Sequence, residues 1–179
     1  MRIIAGTFKR RVLKEVPHKG TRSTKDRVKE NLFNMLPPLQ GATVLDLYAG
    51  SGALGLEALS RGADNAFFCE KDKTAFSVLS DNVDALALNP RATLEKGDAL
   101  SLLRRLNAPF DIILLDPPYN QSLSDKSLEI INERHLLNPG GVIVILHASS
   151  EKITIPSTLE TVKTRTYGIT GLTFLEWSD

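Results

Sequence analysis

Thr43-Val44-Leu45-Asp46-Leu47-Tyr48-Ala49-Gly50-Ser51-Gly52-Ala53-Leu54-Gly55 decides the fold. An apolar strand ends in a carboxylate, turns through glycines and opens onto a helix-forming stretch. Glycines there let backbone approach a ligand closely, and a helix start supplies unpaired N–H donors. Downstream the same alternation repeats. Strands are predicted at 43–47, 65–70, 92–95, 110–115 and 142–146, and helices at 52–60, 73–88, 99–106 and 125–134. In the second helix Phe76, Leu79, Val83 and Leu86 share one face. Near-continuous apolar strands separated by helices predict an α/β fold, with a mostly parallel sheet covered on both faces. Segments 158–167 and 172–177, around Gly168 and Gly171, read as an antiparallel hairpin at the sheet edge.

Upstream of that body the pattern changes. Two short strands are expected at 2–5 and 9–13, turned by Gly6-Thr7, followed by the polar loop His18 to Ser23. A helix then follows, with Ser23 or Thr24 as its cap and Asp26 in its first turn. Val28, Leu32, Met35 and Leu36 recur at helical spacing, which leaves Arg22, Lys25 and Lys29 off the apolar stripe and free to face a partner. Pro37-Pro38 stops the helix. Residues 1–40 carry ten Lys/Arg against three Asp/Glu, a net +7, whereas residues 41–179 carry −6. A basic arm on an acidic body points to a polyanionic partner. The chain is therefore expected to divide into a basic extension, 1–40, and a ligand-binding body, 41–179.

The composition, 42% hydrophobic and 24% charged, is ordinary for a globular protein; the first residues lack a signal peptide's apolar core and no apolar run approaches membrane-spanning length, so neither a leader nor a span is expected. The lone Cys69 lies in an apolar run and excludes an internal disulfide, which suits a reducing, cytoplasmic setting. His18, His135 and His147 are scattered, and no Cys/His spacing suggests a metal.

Gly50-x-Gly52-x-x-Gly55 matches the dinucleotide fingerprint, and Glu70 follows at the spacing of a ribose-binding acid. An NAD-dependent dehydrogenase is thus one reading. Against it stands Asp46, a carboxylate that pyrophosphate binding does not need but that a donor with an amino group and a sulfonium would welcome. Ligands collect at the carboxyl ends of strands in such sheets. There Glu70 suits ribose hydroxyls, while Asp98 with the Ala99 N–H suits an adenine edge. The fourth strand ends in Asp116-Pro117-Pro118-Tyr119. The prolines fix the backbone and hold carbonyls as acceptors. A carboxylate, rigid carbonyls and a ring suit a flat base bearing an exocyclic NH2.

These residues resemble class I S-adenosylmethionine-dependent methyltransferases, and more closely the bacterial small-subunit ribosomal RNA guanine-N2 methyltransferases. The similarity is carried by Met1 to Gly6, Arg22 to Asn34, Asp46 to Ala58, Glu70-Lys71-Asp72 and Asp116 to Tyr119. Ser23 stands where many relatives have proline. The resemblance implies a Rossmann-like, seven-stranded sheet with the C-terminal hairpin at its edge and a small N-terminal hairpin-and-helix extension. It implies S-adenosylmethionine held by Asp46, Tyr48, Ala49, Gly50, Ser51, Gly52, Glu70, Lys71, Asp98 and Ala99. Asp116, Pro117, Pro118 and Tyr119 become the catalytic segment, and Arg10, Arg11, Arg22, Thr24, Arg27 and Tyr119 the contacts to RNA. The expected partner is ribosomal RNA within a small-subunit particle, met by a monomer without metal. An adenine-N6 methyltransferase acting on DNA or RNA uses the same proline motif and stays open.

Overall fold

In a computed structural model, residues 1–17, 26–119 and 121–179 are described. After helix α1 (Asp26–Asn34), strand and helix alternate through β1 (Thr43–Asp46), α2 (Ala53–Ser60), β2 (Asn65–Glu70), α3 (Lys73–Ala85), β3 (Ala92–Lys96), α4 (Ala99–Leu103), β4 (Phe110–Leu115), α5 (Leu123–Glu133) and β5 (Leu137–Ala148). A hairpin of β6 (Leu159–Tyr167) and β7 (Thr170–Trp177) ends the chain. The seven strands form one sheet in the order β3-β2-β1-β4-β5-β7-β6. The first five are mutually parallel, and β7 and β6 run antiparallel. The order reverses between β1 and β4, so a crevice opens between their carboxyl ends.

Two apolar layers sandwich the sheet. Val44, Phe68, Leu114, Val144 and Phe174 meet residues of α1, α2 and α3 on one face. Leu45, Ile113, Ile143 and Leu175 meet α4 and α5 on the other. Local chemistry sets the helix starts. Asp72 and Asp98 cap α3 and α4 by accepting from the Ala75 and Ser101 N–H groups, at 2.8 and 2.9 Å. Gly52 begins α2 from the left-handed region, φ +87°, where an added Cβ would lie 2.5 Å from Leu79 Cδ1.

Several elements are shorter or longer than their sequence pattern. The two expected N-terminal strands reduce to one antiparallel bridge, Arg2 to Val12. Positive φ at Gly6 and Arg10 tightens the turn so that only a few rungs form, among them Ile3 N–H to Arg11 C=O. Helices α3 and α4 stop before Leu88 and Leu106; positive φ at Ala87 closes the end of α3. Strand β5 starts five residues before its apolar run, because Leu137 pairs with Phe110 ahead of a register shift. The expected caps Ser23 and Thr24, with Arg22 and Lys25, lie outside the described residues.

Lys29 corrects the expected exposed cationic face of α1. It is fully buried, donates to the Arg2 carbonyl and lies 3.4 Å from Glu57, itself fully buried on α2. Glu57 also accepts from the Ile4 and Ala5 N–H groups and from Arg61 Nε, at 2.9, 3.1 and 2.8 Å. Arg61 stacks over the Phe33 ring. Burial pulls the Lys29 ammonium below its ordinary pKa, and Glu57 opposes that pull. Ile3, Leu13, Val28, Leu32, Phe33 and Leu39 all join the main apolar cluster. The division near residue 40 is therefore one of charge, not of core.

Candidate active site

The parallel register places the strand-end carboxylates around one crevice. Asp46 is level with Phe68 on β2 and Leu114 on β4, so Glu70 and Asp116 each stand two residues further along, on either side of it. Asp46 is 1% exposed. Its Oδ2 accepts from the Gly55 N–H at 2.9 Å, whereas Oδ1 is buried with no partner. Removal from water raises its pKa to about 7; the Gly55 bond opposes this, and the neighbouring charges of Asp116 and Glu70 add to it. A buried acceptor left unmatched costs free energy, and an incoming cationic donor would recover it.

Backbone bonds pin the glycine turn. Glu70 accepts from the Gly50 N–H through Oε2 at 2.8 Å and from the Asp72 N–H through Oε1 at 2.7 Å. The Ala49 N–H donates to the Cys69 carbonyl at 2.9 Å. Each Glu70 oxygen keeps acceptor capacity on its outer side. The three glycines of the motif do different work. Gly50 has φ +57° and nothing within 4 Å of where its Cβ would be, so it borders open space. Gly55 has the Phe68 ring 2.2 Å from that point, which lets α2 sit tightly on β2. Only the first of these two borders open space.

The remaining expected donor contacts divide in the same way. Ser51 and Gly52 complete the turn, and Tyr48 packs on the α4–α5 layer. The Tyr48 hydroxyl bonds Ser127 Oγ at 2.8 Å, and burial pushes its pKa up to about 12. Asp98 is exposed, and its cap bond to Ser101 holds its pKa below the usual carboxylate range. Ala99 is buried as the first residue of α4, and Lys71 is exposed beside Glu70. Cys69 is buried, with its thiol raised to about 12 by desolvation, which suits packing rather than nucleophilic attack.

Beyond β4, Asp116 is half-buried, Pro117 buried, Pro118 exposed and Tyr119 half-buried. Arg10 and Arg27 are exposed on the N-terminal segment, and the exposed Arg11 donates to the Ala85 carbonyl at 3.0 Å. Arg22 and Thr24 lie outside the described residues.

Two further residues shape the site. Asn82, 2% exposed on α3, donates to the Ser51 and Lys14 carbonyls at 2.9 and 3.1 Å and accepts from the Lys14 N–H at 2.8 Å. It ties the glycine turn to the N-terminal segment. Ser127, fully buried on α5, holds Tyr48. Asn82 had a visible signal, a polar residue on the face shared by Leu79, Val83 and Leu86; Ser127 had none without the fold.

The comparisons with known proteins agree with this geometry. Residues 1–176 match the family described as conserved hypothetical protein 95. YlbH of Bacillus subtilis is 40% identical, covering 96% of each chain. Ribosomal RNA small subunit methyltransferase D of Haemophilus influenzae is 36% identical, over 94% of this chain and 90% of that one. The solved structure of yhhF from Escherichia coli superposes with a TM-score of 0.89 at 32% identity, covering 99% and 97% of the two chains. The dehydrogenase reading of the glycine motif falls with these matches. The chain belongs to the conserved hypothetical protein 95 family, and it is a methyltransferase of the ribosomal RNA small subunit methyltransferase D family.

Proposed function

We propose that this chain transfers a methyl group from S-adenosylmethionine to the exocyclic 2-amino group of a guanine in small-subunit ribosomal RNA. The orphaned Oδ1 of Asp46 carries the reading: a buried, unmatched acceptor at a strand end that Glu70 and Asp116 flank. It fits the amino group of such a donor. Glu70 would take the ribose hydroxyls, and Asp98 with the Ala99 N–H the adenine. Tyr48, Ala49, Ser51, Gly52 and Lys71 would wall the site. When bound, the donor supplies an electrophilic methyl on a sulfonium.

The chain's own residues would do the rest. Asp116 and the Pro117 carbonyl accept hydrogen bonds from the amine, turn its lone pair away from ring conjugation and aim it. Tyr119 stacks on the base. As the methyl's bond to nitrogen forms its bond to sulfur would break, and positive charge grows on the nitrogen, so a fixed carboxylate stabilises the transition state more than the neutral amine; the proton the nitrogen then sheds would pass to Asp116, directly or through water. Orientation supplies much of the remainder. A paired base hides its amine, so the target is unpaired or extruded. Arg10, Arg11, Arg22, Thr24 and Arg27 would hold the flanking RNA. The relatives named for the small ribosomal subunit support this substrate.

Labelled donor offered with naked ribosomal RNA, small-subunit particles or DNA tests the substrate. Label is expected on a guanine of the small-subunit RNA, and label on adenine or on DNA overturns the reading. Asp116→Ala is expected to cut turnover roughly 10²-fold or more while keeping donor affinity, measured by calorimetry. Near-normal turnover would remove Asp116 from the chemistry.

A further inference from the structure

Strand β6 is the sheet's outer edge, and a bulge within it decides which of its side chains share a face with α1. Thr161 pairs with Leu175 and Lys163 with Phe174, so Val162 is an extra residue without an opposite number. On the Leu159 side of the bulge, Leu159 and Thr161 face the α4–α5 layer with Trp177 and Leu175. Beyond it the alternation resumes one residue out of phase. Lys163, Arg165 and Tyr167 then stand with Phe174, Leu172 and Thr170, on the face covered by α1, α2 and α3. Without the extra residue, Val162, Thr164 and Thr166 would occupy that face and leave it without a cation.

This row runs toward the catalytic edge. Leu115 is level with Ile145, Ile145 with Thr173, and Thr173 with Thr164. Arg165 is therefore level with Asp116, three strand spacings or about 14 Å away. Tyr167 lies beyond it at the rim, opposite Thr170. Helix α1 shares this face, and Met35 and Pro37 just past its end lie beside Val142 and Glu176 at the opposite edge of the sheet. Its first turn, with the exposed Arg27, accordingly points toward the catalytic rim. Arg27 and the β6 row thus lie toward the same rim.

Lys163 is half-exposed and Arg165 exposed, and neither makes an ion pair among the described residues; Arg165 donates to the neighbouring Thr164 carbonyl. Acidic groups on the row, Glu160 and Glu176, stand at the end away from the rim. Lys163 lines a hollow with Glu176, Met35 and Pro37, and the part of the row nearest the chemistry is Arg165 followed by the Tyr167 ring.

We infer that Lys163, Arg165 and Tyr167 form a second RNA-binding track, which holds the backbone of nucleotides flanking the extruded target. The inference rests on the proposed RNA substrate. Two unpaired cations match a phosphate backbone in charge, and Tyr167 offers a stacking edge where the strand would leave the rim.

The test uses the full chain with Lys163→Gln/Arg165→Gln, a small-subunit ribosomal RNA fragment and fluorescence anisotropy across a salt series. Each lost phosphate contact lowers the log–log salt slope by about 0.7 for a single strand, so the double variant is expected to lose about 1.4. RNA affinity should fall several-fold, donor affinity should hold, and Arg134→Gln on α5 should behave as the parent. An unchanged slope and affinity would overturn the track and leave the two cations as guards of an exposed edge strand. A parent chain that binds no RNA would overturn the substrate reading as well, and so separates the two failures.

Discussion

Lys29 and Asp46 are both buried charges, and their surroundings are opposite. Lys29 is matched on every side by Glu57, the Arg2 carbonyl and the ring of interactions that Glu57 completes with Arg61, Ile4 and Ala5. Asp46 has one oxygen matched by Gly55 and one matched by nothing. A buried charge that the fold satisfies completely serves the fold. One that the fold leaves half-satisfied, in a crevice, is the kind proposed above to take a ligand. The contrast separates structural from functional charge where burial alone would not.

Breaking the matched charge should have the largest effect. Lys29→Met takes from Glu57 its buried cation, leaving Arg61 and two backbone N–H groups, and is expected to cost about 3 kcal/mol, the lower end of the range for a buried pair losing one partner. Denaturant unfolding measures it. Lys29→Met/Glu57→Gln should recover part of the loss, and equal stabilities of both variants would break the comparison.

Asp46→Asn probes the unmatched charge. Donor affinity should fall on the order of 10- to 100-fold, as for one charge-assisted hydrogen bond. Stability should move the other way. The carboxyl of Asp46 titrates near 7 in the fold and near 3.8 when exposed, so its contribution is fully present below about pH 4 and is lost as pH rises through 7. The variant should therefore gain on the parent between pH 5 and 7.5, read from denaturant midpoints at both. A parallel pH dependence of the two proteins would show that Asp46 is not strained.

The smallest effect belongs to Tyr48→Phe, which removes the hydroxyl that Ser127 holds. A loss of about 1 kcal/mol is expected in thermal unfolding. Donor KM should rise, since the ring flanks the glycine turn, and an unchanged KM would confine Tyr48 to packing.

The sheet and the donor-side carboxylates were legible because both rest on local pattern. Apolar runs marked β1, β2 and β4 closely, and Asp46, Glu70 and Asp116 each follow from standing at a strand end. Asp98 stands at a strand end as expected, and there it caps α4. The N-terminal segment was legible only as charge. Helical spacing puts Lys29 off the stripe of Val28 and Leu32, but α1 packs in a corner between the sheet and α2, and a second face of the helix is covered there. Periodicity reports one buried face; it says nothing of a neighbour that closes over another. Asn82 was readable as a polar intrusion on an apolar face, whereas its reach to both Ser51 and Lys14 needed the packing of α3. The bulge at Val162 has no sequence signature, because a β-branched residue suits a regular strand as well as an irregular one.

Ile3 and Leu13 belong to the same apolar cluster as Leu172 and Phe174. Segments from opposite ends of the chain therefore zip into one cooperative unit, and no fragment that lacks either keeps a finished interior. Amide exchange should report this directly: the Ile4 and Ala5 N–H protons, clasped by Glu57, should exchange only through global opening, at the same slow rate as the middle of the sheet.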